Sequence, residues 1–318
     1  MLSNILQTKK CFKLVCGAGN EDIDEVEKLV YLYSKAGCNF FDLSANIDVV
    51  RAAKRGLELS GVTENKYLCV SVGIAGDPHI NKAEISNKLC TKCDKCRKMC
   101  PQNAIFEDIR SNYVKSKRCI GCGRCEKICT NNAISMYSKE IDLEEVLPPI
   151  ISEGIDCLEF HALVEDDYEV MNKWQVLNSL YSGMLSICID RSILGNMKIL
   201  NRVKEMIKNR NPYTTIVQAD GAPMSGGEDN YKTTLQAVAM AEIIENADLP
   251  VYVLISGGTN SKTLELAKMC DLHPSGVAIG SYARKIVRNY IQRSDFYKNQ
   301  QILDEALSVA KNLVNSCM

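Results

Sequence analysis

Two kinds of hydrophobic pattern alternate along the chain. Short apolar runs rich in β-branched and aromatic residues predict buried strands, and longer segments with apolar residues every three or four positions predict amphipathic helices. Strands are expected at Cys11–Gly17, Cys38–Ser44, Tyr67–Gly73, Asp156–Ala162, Leu185–Asp190, Thr214–Asp220, Pro250–Gly258 and Ser275–Ser281. Helices are expected between them, the first over Asp22–Ala36 after the capping-competent NEDID, others over IDVVRAAKRGLELS, Asp142–Glu153, WQVLNSLYSG, ILNRVKEMIKN, TTLQAVAMAEIIENA and SKTLELAKMCD, with a helix pair at the end. Eight strands, nearly all followed by helices, imply a parallel sheet covered by helices. At this length the repeat points to a (β/α)8 TIM-like barrel rather than an open doubly wound sheet.

The alternation breaks once. After the third strand come CTKCDKCRKMCP (Cys90–Pro101) and CIGCGRCEKICT (Cys119–Thr130) in place of a helix. The expected organisation is a first part of the barrel at 1–80, an inserted two-cluster ferredoxin-like α+β domain at 81–138, and the remainder of the barrel at 139–318. Loops after barrel strands lie on the catalytic face, so the insertion belongs beside the barrel mouth.

Each run reads C-x2-C-x2-C-x3-C. In two-cluster ferredoxins the first three cysteines hold one cluster and the fourth reaches the other. That rule assigns Cys90, Cys93, Cys96 and Cys129 to one [4Fe–4S] cluster, and Cys119, Cys122, Cys125 and Cys100 to the second. Tetrahedral iron prefers soft thiolate donors, and Gly121 and Gly123 let the backbone wrap closely. Paired zinc knuckles are the competing reading, but zinc sites usually separate two cysteine pairs by a longer loop. The other eight of the 16 cysteines are scattered through apolar segments and read as small buried residues in a reducing compartment.

Charge and composition narrow the function classes. With 38 Lys and Arg against 39 Asp and Glu, the net charge is −1, which speaks against nucleic acid as a partner. No apolar run reaches the roughly 18–20 residues of a membrane span. The start, MLSNILQTKKCFKLVCG, lacks the layout of a signal peptide, so a cytoplasmic setting is expected.

Strand parity predicts a polar lumen. Lys13, Asp42, Ser71, Glu159, His161, Asp190, Gln218 and Asp220 fall on inward positions. Glu159, His161 and Asp220 are the candidate catalytic residues, with His161 the candidate proton-transfer group; the remaining histidines, His79 and His273, fall in loops. ISGGTN and GSYARK end the last two strands, where barrels often bind phosphate. Gly257, Gly258, Thr259, Gly280, Ser281 and Arg284 are therefore candidate contacts for FMN or another phosphate-bearing ligand, with Arg284 and Lys285 as countercharge. The loop ADGAPMSGGEDN reads as a lid or a substrate-contacting segment.

FKLVCGAG, the double cysteine run, ADGAPMSGG, ISGGTN and GSYARK, in that order, resemble the light-dependent period protein family, whose founding member is a circadian-clock-associated iron–sulfur protein of photosynthetic bacteria. The resemblance implies iron–sulfur binding by the eight cysteines above and a redox-responsive role, and it supplies no reaction. Two functions follow as expectations. One is an electron relay or redox sensor working with an electron carrier or quinone and with a regulatory protein partner. The other is an oxidoreductase whose clusters pass electrons to a flavin or phosphate-bearing substrate in the barrel.

Overall fold

A computed structural model describes residues 1–318 except 76, 78–79, 139–140, 193 and 223–226. Eight parallel strands close into a barrel: β1 (Cys11–Val15), β2 (Phe40–Ser44), β3 (Tyr67–Val72), β8 (Cys157–His161), β9 (Met184–Ile189), β10 (Thr215–Asp220), β11 (Tyr252–Ser256) and β12 (Gly276–Ile279). Every predicted strand is present, each a residue or more shorter than its apolar run except β9, which gains Met184 and stops before Asp190. β3 pairs with β8 although 88 residues separate Cys69 from its partner Cys157.

The helices cover the outside. They include α2 (Ile23–Lys35), α3 (Ile47–Ser60), α6 (Leu143–Ser152), α7 (Asp167–Leu180), α8 (Asn196–Ile207), α9 (Tyr231–Glu245), α10 (Thr263–Met269), α11 (Ser281–Ile291) and α12 (Gln300–Asn315). α2 shows the local logic. Asp22 accepts from the Glu25 amide to cap its first turn, and Val26, Leu29, Val30 and Tyr33 form its buried stripe. Alternate residues of each strand pack against these stripes; Phe12 and Leu14 of β1 belong to this outer core.

One helix has no counterpart in the sequence pattern. The six-residue α1 (Leu2–Gln7) closes the lower end of the barrel, where Leu2 and Leu6 pack with Cys11, Phe40, Tyr67 and Leu254. Six residues are too few to register a period. Helix α7 also begins seven residues before the predicted WQVLNSLYSG, because Asp166 caps it through the Tyr168 and Glu169 amides.

Between β3 and β8 lies a separate small layer. β4 (Asn81–Ile85) pairs antiparallel with β7 (Ile134–Ser138), and β5 (Ile105–Glu107) with β6 (Asn112–Val114). Two one-turn helices, α4 (Lys95–Met99) and α5 (Arg124–Ile128), each carry the third cysteine of their run. The layer is fastened over the barrel mouth. Lys82, almost fully buried, donates to the carbonyls of Gly19, Ser116 and Cys119; Arg118 pairs with Asp22, and Arg288 donates to Gln102.

Candidate functional site

The two cysteine runs fold over each other so that each cavity draws on both. Cys90, Cys93 and Cys96 share one cavity with Cys129, and Cys119, Cys122 and Cys125 share the other with Cys100. Each holds about 350 Å³ not filled by atoms, counting its open mouth. The halves are near-copies. The amide of Ala104 donates to the Cys100 sulfur at 3.3 Å, and that of Ala133 to the Cys129 sulfur at the same distance. Lys92 and Asp94 in the first run adopt the left-handed backbone that Gly121 and Gly123 adopt in the second. Ala83 also donates its amide to Cys119, and the Asn112 side chain reaches Cys96.

These surroundings fit an iron–sulfur cluster. Burial pushes the Cys125 thiol up to about 12, and crowding by Cys122, Cys119 and Cys100 adds to it. Four thiolates this close need a cationic centre among them to remain ionised. N–H···S hydrogen bonds then stabilise the charge on the sulfurs.

The barrel lumen beside this layer is polar at its middle. Lys13 Nζ lies 2.5 Å from Glu159 Oε2 and 2.8 Å from Gln218 Oε1, with Asp42 at 4.0 Å. Ser186 and the Gln218 amide also donate to Glu159, and Ser71 donates to Asp42. Burial works against the charge on Lys13, but Asp42 and Glu159 outweigh it and hold the ammonium well above its ordinary range. Burial likewise opposes the charge on Glu159, yet Lys13 and His161 keep its carboxyl well below the usual range. Asp42, more distant from the lysine, is raised by burial.

Above this layer stands His161. Its Nδ1 is 3.1 Å from Asp77 and its Nε2 3.5 Å from Glu159. Burial alone would lower its pKa, but the two carboxylates raise it to about 10, so it is an imidazolium at neutral pH. Glu159, His161 and Cys188 place an oxygen, a nitrogen and a sulfur within 4.8 Å of one another. Because the Glu159 oxygens already accept from Lys13, Ser186 and Gln218, these groups form a proton-bearing network rather than an open metal cage.

The network opens upward into a cleft of about 650 Å³, counting its open mouth, lined in part by His161, Asp220 and Cys188. The sequence-predicted Gly257, Gly258, Thr259, Gly280, Ser281 and Arg284 form its far wall. Gly257 is there for steric reasons. Its φ is +72°, and a Cβ would overlap the Asp220 carboxylate and press on the Gly221 amide. Arg284 is buried, donates to the Val15 carbonyl, and among the described residues leaves its Nε without a partner.

Two expected residues stand elsewhere. Lys285 turns outward to the Gly227 carbonyl and Glu228, so it adds no countercharge to the cleft. Asp190 is buried but accepts from Ser192, which makes it a loop anchor. Its parity still marked the right face, since Ser186 and Cys188, four and two positions earlier, are the lumen-side residues of β9. Seven of the eight scattered cysteines are buried as expected, whereas Cys270 is exposed. Asp77, from the loop after β3, carried no sequence signal. His79 and the centre of ADGAPMSGGEDN lie outside the described residues.

Residues 149–316 match the family model described as the light dependent period A C-terminal domain, and residues 90–140 match the LdpA Fe-S cluster-binding domain. The chain belongs to the light dependent period A family. A relative, Light dependent period A of Synechococcus elongatus, is 30% identical over 97% of this chain and 91% of that protein. The resemblance carried by FKLVCGAG, ISGGTN and GSYARK thus holds for nearly the whole chain, and the cysteine segment is this family's iron–sulfur domain. Among solved structures, the YdjI aldolase of Escherichia coli K12 aligns over 98% of this chain and 90% of its own at 7% identity and a TM-score of 0.50. Tryptophan synthase from M. tuberculosis aligns over 100% and 99% at 9% identity and a TM-score of 0.47. The likeness to the aldolase concerns the barrel fold alone.

Proposed function

We propose that this family member is a redox protein with two [4Fe–4S] clusters that relays electrons between an external carrier and a ligand held at the barrel mouth. One cluster is assigned to Cys90, Cys93, Cys96 and Cys129, the other to Cys119, Cys122, Cys125 and Cys100. The observation that carries the reading is Ile120, which lines both the Cys100-containing cavity and the barrel-mouth cleft. Ile120 thus borders both the inner cluster position and the ligand position. Bound there, the clusters supply one-electron steps. The chain's own residues supply the rest: Ile120 lies at both cavities, Lys82 fixes the Cys119 segment to the barrel, and His161 puts a positive charge on the cleft wall.

A second reading, an oxidoreductase using FMN or another phosphate-bearing ligand, is favoured by Arg284. Its buried guanidinium sits where α11 begins at Ser281, a helix start whose amides favour an anion. Anaerobic purification followed by iron, sulfide and flavin analysis of one sample tests both. About eight iron and eight sulfide per chain are expected. Zinc in place of iron overturns the assignment, and absence of flavin from protein with full iron removes FMN from the second reading.

A further inference from the structure

The charge of this protein is unevenly distributed. Residues 81–138 carry 12 Lys and Arg against five Asp and Glu, while the other 260 residues carry 26 against 34. A chain of net charge −1 thus presents a strongly basic iron–sulfur layer on an acidic barrel. The two cavities also differ in exposure. Cys119 and Cys125 of the inner cavity are buried, as is Cys96 of the outer one, whereas Cys93 of the outer cavity is exposed.

Lysines are concentrated in the segment that carries that exposed edge. Lys92 and Lys95 line the outer cavity, and Lys88 and Lys98 are exposed in the same segment. Lys92 pairs with Glu107, and Arg97 with Asp94 and Glu107. Among the described residues no carboxylate lies within ion-pair distance of Lys88, Lys95 or Lys98. Leu89, 52% exposed beside Cys90, adds an apolar contact to this segment. An exposed cysteine in a basic segment is the arrangement through which a charged carrier is steered and briefly held.

We propose that the face around Cys93, rimmed by Lys88, Lys95 and Lys98, is the docking surface for a small acidic one-electron carrier protein. This rests on the two-cluster reading above and gives the relay a direction in space. With clusters held by the cysteines as assigned, the carrier would exchange one electron at the Cys93 edge, with Cys119, Cys122, Cys125 and Cys100 lying between that edge and Ile120, and no bond forms or breaks at the surface. A quinone, being neutral, would make no use of the basic rim.

Two haem proteins serve as probes, acidic cytochrome b5 and basic cytochrome c, each accepting one electron as ferric haem becomes ferrous. Protein shown by iron analysis and dithionite bleaching to carry its clusters is reduced, desalted anaerobically and mixed with each. The reaction with cytochrome b5 is expected to slow at least tenfold between low and high salt and to fall about tenfold in K88E/K95E/K98E. The reversal K204E/K268E/K311E, equal in charge but on barrel helices, should leave it within twofold. Calorimetric titration with oxidised cytochrome b5 reads docking without electron transfer, and binding should vanish only in the first triple variant. The whole-molecule charge predicts the opposite preference. Faster reaction with cytochrome c at low salt, or equal effects of the two triple variants, overturns the proposal. So does salt-sensitive retention of RNA on this face without discrimination between the cytochromes. Failed bleaching would instead strike the cluster assignment itself.

Discussion

Replacing Lys13 by Met tests whether the lumen network is built as a charge-compensated unit. The lysine is fully buried, and its Nζ is the nearest cation to the equally buried Glu159. Methionine fills a similar volume, so the packing loss is small. What remains is a carboxylate without its main counterion. Removing one partner of a buried pair costs about 3–5 kcal/mol, and His161 at 3.5 Å still offsets part of that, so about 3 kcal/mol is expected. For a barrel of this size that amounts to a fall in Tm of roughly 6–12 °C, at about 2–4 °C per kcal/mol. The assay is thermal unfolding by circular dichroism on samples matched for iron. Acidification supplies an internal check. With Lys13 present, Glu159 stabilises the fold above its ordinary carboxylate range and loses that contribution as pH falls. Without the lysine its folded-state pKa moves up, so the penalty should shrink as the medium turns acidic. Lys13→Met/Glu159→Gln should regain most of the loss, since glutamine keeps partners for Ser186 and Gln218. A single variant melting within 2 °C of the parent, or a double variant no better than the single, would refute the reasoning.

Other outcomes follow from the same geometry. Because the fold raises His161 from 6.5 to about 10, its contribution is complete below 6.5 and fades as pH rises toward 10; the Tm gap to His161→Gln should narrow across that interval, and a gap constant with pH would show an uncharged ring. If the ligand sets cross between runs, Cys100→Ser with Cys122→Ser should cost no more iron than either alone, about four atoms, whereas Cys100→Ser with Cys93→Ser should cost nearly all. Iron analysis and electron paramagnetic resonance of the reduced variants decide this. Gly257→Ala forces a Cβ into the Asp220 carboxylate at a φ of +72°; stability should drop by at least about 1–2 kcal/mol from backbone strain alone, measured by thermal unfolding.

The barrel was legible because strand burial is two-sided and repeats eight times, leaving unbroken apolar runs between amphipathic helices. Polar residues inside those runs, such as Lys13 between Phe12 and Leu14, stood out for the same reason. Parity then placed Glu159, His161 and Gln218 correctly on one lumen. At Asp190 the face was right but the strand had ended, and the carboxylate anchors its own loop. Lys285 misled because neighbours on a helix face different directions, and only Arg284 points back to the cleft. Asp77 could not be found at all, since its tie to His161 spans 84 residues and arises only when the barrel closes. The basic rim was hidden by arithmetic: a total of −1 conceals two large, opposite local charges.

The long detour between β3 and β8 bears on the order in which the molecule is made. Closing the barrel must bring together residues 88 positions apart, where an ordinary strand–helix–strand unit spans about 30. The entropic cost of closing a loop grows by only about 0.6 kcal/mol per doubling, so the detour costs about 1 kcal/mol. That is too little to prevent the barrel from forming before any iron arrives. The roof of the cleft is another matter, because Ile120 is set between two cysteines that metal would draw together. A freshly synthesised chain can thus own a finished barrel and an unfinished mouth, and iron supply, rather than folding, would decide when it becomes competent to take up its ligand.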